Sequence, residues 1–147
     1  MFGKRKKAKL LYDRIGDHAL SIMGDKVIYP EGKKPGVVAF TFVICIYILN
    51  TIYRKNDITY YVMKIFNKAQ GDELSKFVES FYYETASAIQ KSINKDINDY
   101  DYFLLVAEAF LELLDSEKTE KSVERSLNYI TTFMEECESI LKVNTYF

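Results

Sequence analysis

Hydrophobic side chains recur at intervals of three and four residues along most of this 147-residue chain. The spacing is clearest near the end of the chain, at Val123, Leu127, Ile130, Met134, Cys137 and Leu141. Such spacing places apolar groups on one face of an α-helix. The pattern predicts five amphipathic helices, over residues 7–24, 57–69, 73–94, 100–115 and 117–142.

Residues 36–53 depart from this pattern because they contain no charged side chain. A helix that is apolar on every side must be buried on every side or lie in lipid. One strand of this length would extend about 60 Å, which is too long for a small domain. Two strands remain an alternative, since β-branched and aromatic residues dominate the segment. We favour one central helix, because no Pro or Asp interrupts the run and no Gly follows Gly36.

Polar and glycine-containing segments separate the predicted helices. Residues 25–36 are predicted to be a loop, with room for a brief extended piece at residues 27–29. Asp57 and Asp99 are predicted N-caps, because an Asp side chain accepts hydrogen bonds from the free N–H groups at a helix start. The predicted fold is therefore all-α: one domain over residues 1–147, a bundle of about five to six helices around residues 36–53. The sequence leaves open whether the basic residues 1–9 are flexible.

A membrane-inserted helix is the alternative interpretation of residues 36–53. Eighteen helical residues span roughly 27 Å, just short of a bilayer core of about 30 Å. Lys33, Lys34, Arg54 and Lys55 flank both ends, so their charges favour no orientation. We favour a soluble bundle, because the amphipathic faces of the other helices need a shared core to cover.

Composition narrows the class of protein. Hydrophobic residues make up 48% of the chain and charged residues 28%, values that exclude wholesale disorder. Two cysteines are too few for a disulfide scaffold, so we expect Cys45 and Cys137 to be reduced core residues. The lysine-rich start is not followed by the apolar run of a secretory signal. We therefore expect a cytoplasmic location.

Charge is distributed very unevenly along the chain. Residues 1–68 carry 13 Lys and Arg against 5 Asp and Glu, a formal charge of +8. Residues 69–147 carry 7 Lys and Arg against 16 Asp and Glu, a formal charge of −9. This asymmetry predicts separate basic and acidic surfaces. The predicted partner-binding residues are Lys4, Arg5, Lys6, Lys7, Lys9, Lys33, Lys34, Arg54, Lys55, Glu117, Glu120 and Glu124.

No arrangement of residues predicts catalysis or metal binding. His18 is the only histidine, so the chain cannot assemble the usual zinc ligands, and no nucleophile motif accompanies it. We expect it at the surface or at a helix edge, near Asp13 and Asp17. The carboxylates Glu79, Glu84, Glu108 and Glu112 lack the Glu-x-x-His partners of a di-metal site. We expect no enzymatic activity, no cofactor and no bound metal.

The hypothesis that best fits these observations is a non-enzymatic module that binds another protein. Three classes fit this hypothesis: regulators, proteins of the inhibitor or immunity type, and assembly subunits. Pairing of two copies, basic surface to acidic surface, is a second form of the same hypothesis. Two alternatives stay open: a small membrane-associated protein that inserts residues 36–53, and a nucleic-acid-associated accessory subunit that uses the basic N-terminal half.

Overall fold

The computed structural model describes residues 2–29, 36–93 and 96–143, and these residues form helices and turns with no strand. Within these ranges the chain forms six α-helices and one π-helical turn. They are α1 Phe2–Met23, α2 Val37–Tyr47, the π turn Ile48–Ile52, α3 Asn56–Gln70, α4 Asp72–Ser92, α5 Asp99–Leu113 and α6 Glu120–Leu141. The prediction of a single-domain all-α bundle is confirmed.

The uncharged segment forms the centre of the bundle, as predicted. Every side chain from Thr41 to Leu49 is buried, and α2 packs against α1, α4 and α5. A helix satisfies its backbone hydrogen bonds internally, so it needs no neighbouring strand when it is buried. The two-strand alternative for residues 36–53 is therefore wrong.

The central helix widens into a π turn over Ile48–Ile52 before it ends. The Tyr53 N–H donates to the Ile48 carbonyl, five residues earlier, at 3.2 Å. The Lys55 N–H then donates to the Leu49 carbonyl at 2.9 Å, and Arg54 between them takes a left-handed conformation with φ 55°. A residue in the left-handed conformation commonly follows the last turn of a helix, and Arg54 takes that place here.

Two predicted helix caps are wrong. The N-cap of α3 is Lys55, and Asp57 lies inside the first turn, where its Oδ1 accepts from the Ile58 N–H at 2.8 Å. The N-cap of α5 is Asn98, whose Oδ1 accepts from the Asp101 N–H at 2.8 Å. Asn98 caps α5 through its side chain, whereas the Lys55 side chain makes no such bond at the start of α3 and Asp57 accepts from a first-turn N–H instead.

The described part of the predicted loop turns tightly after α1. The Asp25 carboxylate accepts from the Val27 N–H at 3.0 Å, and the Tyr29 N–H donates to the Asp25 carbonyl at 2.8 Å. These bonds make a local turn, as Asp side chains commonly do. The suggested extended piece at residues 27–29 is therefore wrong, although Ile28 is buried as its apolar character suggests.

Candidate functional site: a basic end, an acidic end and a groove

The basic start of α1 packs beside the start of α3. Lys4 Nζ lies 2.7 Å from Asp57 Oδ2, and the Arg5 guanidinium lies 5.4 Å from the centre of the Tyr61 ring. The hydrogen bond with Asp57 and its negative charge raise the pKa of Lys4, and the same hydrogen bond lowers the pKa of Asp57. Lys4 and Arg5 therefore hold the start of α1 against α3.

Four other predicted cations lie at the same end of the bundle. Helices α1 and α3 run in the same direction, since Lys4 contacts Asp57 near both starts and Tyr12 and Phe66 both pack on Phe42 further along. We call Lys6, Lys7, Arg54 and Lys55 the basic end. Within the described ranges none of these four side chains forms an ion pair, whereas Lys4 and Lys9 are paired with Asp57 and Asp13.

The predicted acidic residues lie at the start of α6. Glu117, Glu120 and Glu124 are all exposed, and we call them the acidic end. A capping box between Thr119 and Ser122 fixes the helix start. Lys118, which lies among these carboxylates, is paired with Glu112 on α5. Carboxylates in a first helical turn also stabilise the helix dipole, so the acidic end has a structural role besides any binding role.

The packing of α1 against α6 sets the distance between the two ends. His18 contacts Glu136, and Asp25 contacts Arg125 and Tyr129, so the helices are antiparallel. The start of α1 is thus far from the start of α6, by about 30 Å for some 20 residues of helix. This separation is well beyond a Debye length of about 8 Å at physiological salt, so the two ends barely attract each other within one molecule.

Lys33 and Lys34 lie outside the described residues, so the structure does not place these two predicted contact residues. The other ten predicted residues fall into three groups: cations already engaged inside the chain, the basic end and the acidic end. The sequence shows the Lys9–Asp13 pair through its spacing of four residues. It gives no signal for the Lys4–Asp57 pair, which depends on the packing of two separate helices.

His18 lies in the interface between α1 and α6. Its Nε2 is 2.5 Å from Glu136 Oε1, and its side chain is 13% exposed. Its ring meets Tyr129 and Phe133 edge-on at centroid distances of 6.2 and 6.1 Å. The predicted neighbours Asp13 and Asp17 instead face Lys9 and Arg14. Sequence reasoning missed the partner because it lies 118 residues away.

The remaining candidate groups are the possible metal ligands and the two cysteines. In the part of the chain that the structure describes, no three or more His, Cys, Asp or Glu side chains are placed to hold a metal ion. Cys45 and Cys137 are free and buried, as the sequence suggests. Burial raises the pKa of the Cys45 thiol well above its ordinary value, which keeps it protonated and unreactive.

An open groove of about 940 Å³ lies between α3 and α4. Asn50 and Ser75 lie in its lining, and Asn50 Oδ1 and Ser75 Oγ are both buried without a hydrogen-bond partner. Three tyrosines also line it: Tyr60, Tyr82 and Tyr83. Sequence reasoning did not identify this site. Its only signal was Asn50, an amide inside an otherwise mostly apolar run.

Comparisons of the chain with family models, with curated proteins and with solved structures found no match. Among the described residues, no helix is both long enough and apolar enough to cross a membrane. Function is therefore inferred from the surfaces of this molecule alone.

Proposed function

We propose that this protein acts by binding another protein, and that the basic end is its principal contact surface. The partner then presents an acidic surface of matching size. The acidic end forms a second contact, either with a basic region of the same partner or with the basic end of another copy. No chemical step is assigned to the protein in this proposal.

The observation that carries the proposal is the gathering of unpaired cations at one end of the bundle. Lys6, Lys7, Arg54 and Lys55 come from two helices that are held together by the Lys4–Asp57 pair. Rigidly placed like charges repel one another, and an acidic partner removes that repulsion. Such surfaces steer encounter and give association rates that fall as salt rises.

The backbone at Arg54 supports the same surface. A residue with a side chain is disfavoured at φ 55°, where glycine is the usual occupant of a helix end. Arg54 lies two residues after the end of the π turn, and such turns are frequent at functional sites. Backbone strain is found at functional sites, so the conformation of Arg54 is compatible with a binding role for its guanidinium.

Charge reversal of each end tests the proposal. We expect Lys6→Glu with Lys7→Glu to abolish partner capture, and Glu120→Lys with Glu124→Lys to reduce it. Sedimentation velocity at low and high salt measures whether copies pair end to end, because such pairing must weaken as salt rises. Lys76→Glu with Lys91→Glu, on α4, is the matched control. Capture and sedimentation that are identical in all variants would contradict the proposal.

Replacement of Arg54 by glycine separates stability from binding. We expect Arg54→Gly to raise the free energy of unfolding by up to about 1 kcal/mol, because the left-handed conformation no longer strains a Cβ. The same variant should capture less partner, since it lacks one cation of the basic end. Urea denaturation measures the first effect and a pull-down the second.

Lys142→Gly provides the control for that experiment. Lys142 ends α6 in the same conformation, with φ 57°, but is not part of the basic end. We expect it to raise stability by a similar amount and to leave partner capture unchanged. If Arg54→Gly captures as much partner as the Lys142→Gly variant does, Arg54 does not contribute to binding.

A further inference from the structure

We propose that the groove between α3 and α4 binds a mononucleotide, with the base in the groove and the phosphate at its rim. Three features of the groove support this ligand class: unpaired polar atoms in the lining, aromatic walls and cations at the rim. The groove volume of about 940 Å³ lies at the upper end of the range for small-molecule sites.

Two side chains in the lining present polar atoms that the described part of the protein does not pair. Ser75 is 9% exposed and its Oγ has no hydrogen-bond partner. Asn50 Nδ2 donates to the Tyr82 hydroxyl at 3.2 Å, while its Oδ1 is buried without a partner. A buried acceptor without a donor destabilises a fold. A ligand that brings N–H groups, as a nucleobase does, satisfies both positions.

The π turn places Asn50 at this position. Asn50 is the central residue of Ile48–Ile52, and it is partly buried between the buried Leu49 and the exposed Thr51, at the border of the core. The buried positions around it hold apolar side chains, as is usual in a helical bundle. The Asn50 carboxamide lies in an irregular turn, where Tyr82 fixes its Nδ2 and its Oδ1 is unpaired. This is the arrangement expected for ligand recognition.

Aromatic side chains provide the walls. Tyr60 and Tyr83 are 57% and 63% exposed although both line the groove. Large exposed aromatic rings beside a cavity offer stacking surface for a planar ligand. Met63 and Ile46 add an adaptable apolar contact within the same lining.

The charges at the rim favour an anionic group on the ligand. Lys64 and Lys68 both line the groove and lie one helical turn apart on α3. Lys64 Nζ lies 5.2 Å from the centre of the Tyr60 ring, so its charge is next to the aromatic wall. Glu79, on α4, lines the groove as well and can accept a hydrogen bond from a sugar hydroxyl. This inference concerns a different surface from the basic end, so each proposal can fail alone.

Isothermal titration calorimetry of the full chain tests the inference. The probes are AMP, GMP, CMP and UMP, each beside its uncharged nucleoside, at low salt. We expect at least one nucleotide to bind saturably with one molecule per chain, and its nucleoside to bind about tenfold more weakly or worse. Lys64→Ala should reduce the nucleotide to the affinity of its nucleoside.

Ser75→Ala distinguishes a ligand site from a structural hydroxyl. We expect the melting temperature to stay equal or rise, because the variant removes a buried polar atom that lacks a partner. We also expect nucleotide and nucleoside to bind more weakly by about tenfold. Ser80→Ala and Lys76→Ala, exposed positions on α4 outside the groove, should change neither quantity.

Three results would overturn the inference. The first is the absence of saturable binding by any of the four nucleotides at millimolar concentration. The second is binding that Ser75→Ala and Lys64→Ala leave unchanged, which would place the ligand elsewhere. The third is a nucleoside that binds as tightly as its nucleotide, which would remove the role of the phosphate and the rim lysines.

Discussion

Replacement of Phe42 by alanine is expected to lower the free energy of unfolding by about 3–5 kcal/mol. Phe42 is 2% exposed in the centre of α2, and its ring centroid lies 4.6 Å from that of Phe66 and 5.3 Å from that of Tyr12. Removal of the ring therefore leaves a cavity where α1, α2 and α3 meet. A domain of this size is stable by about 5–15 kcal/mol, so this loss is a large share of the total stability.

Urea denaturation followed by circular dichroism measures this effect. Phe42→Leu keeps most of the volume, so we expect a loss of roughly 1–1.5 kcal/mol. Tyr100→Ala is the surface control, because Tyr100 is 65% exposed, and it should change stability by less than about 0.5 kcal/mol. A loss below roughly 1.5 kcal/mol for Phe42→Ala would show that the central helix is not the core of the fold.

The second large effect is expected at Asp25, a carboxylate whose side chain is 5% exposed. Its Oδ2 accepts from Arg125 Nη1 and from the Tyr129 hydroxyl, both at 3.1 Å. Burial, and then the hydrogen bond to Asp25, raise the pKa of Tyr129 to about 12, so the hydroxyl remains a donor at neutral pH. Asp25 therefore joins the end of α1 to the start of α6.

Asp25→Ala should lower the free energy of unfolding by about 2–3 kcal/mol. The loss stays below that of a fully buried ion pair, because Arg125 is 48% exposed and returns to water. Asp25→Asn should cost about half as much, since it keeps the bond from the Val27 N–H but brings an amide donor toward Arg125 or Tyr129. Asp13→Ala breaks an exposed pair and should cost less than about 1 kcal/mol. Equal losses at Asp13 and Asp25 would contradict this role.

The helices could be predicted from the sequence because burial imposes a period on it. The pattern at residues 73–94 predicts α4 to within two residues of its observed bounds, Asp72–Ser92. The central helix was predictable for a different reason: a helix without charged residues lacks a charged face that could lie in water, so it is expected in the core. The π turn could not be predicted, since neither the lack of charge nor any residue in Ile48–Ile52 signals a change in hydrogen bonding.

The candidate sites depend on contacts that no local pattern encodes. Arg125 meets Asp25 across 100 residues and Glu136 meets His18 across 118. Charge counting identified the cations of the basic end, but it could not show that Lys4 is engaged with Asp57. The groove arises from the packing of α3 beside α4, so its unpaired atoms become visible only when the helices are assembled.

The most direct measurement of the central claim is a quantitative capture experiment from an extract of the native host treated with nuclease. Wild type, the Lys6→Glu/Lys7→Glu variant and the Lys76→Glu/Lys91→Glu control are immobilised at equal density, and bound proteins are quantified by mass spectrometry. We predict that wild type and control retain the same acidic partner and that the basic-end variant loses it. Equal retention by all three proteins, or a partner that wild type retains only from a parallel extract left without nuclease, would contradict the account.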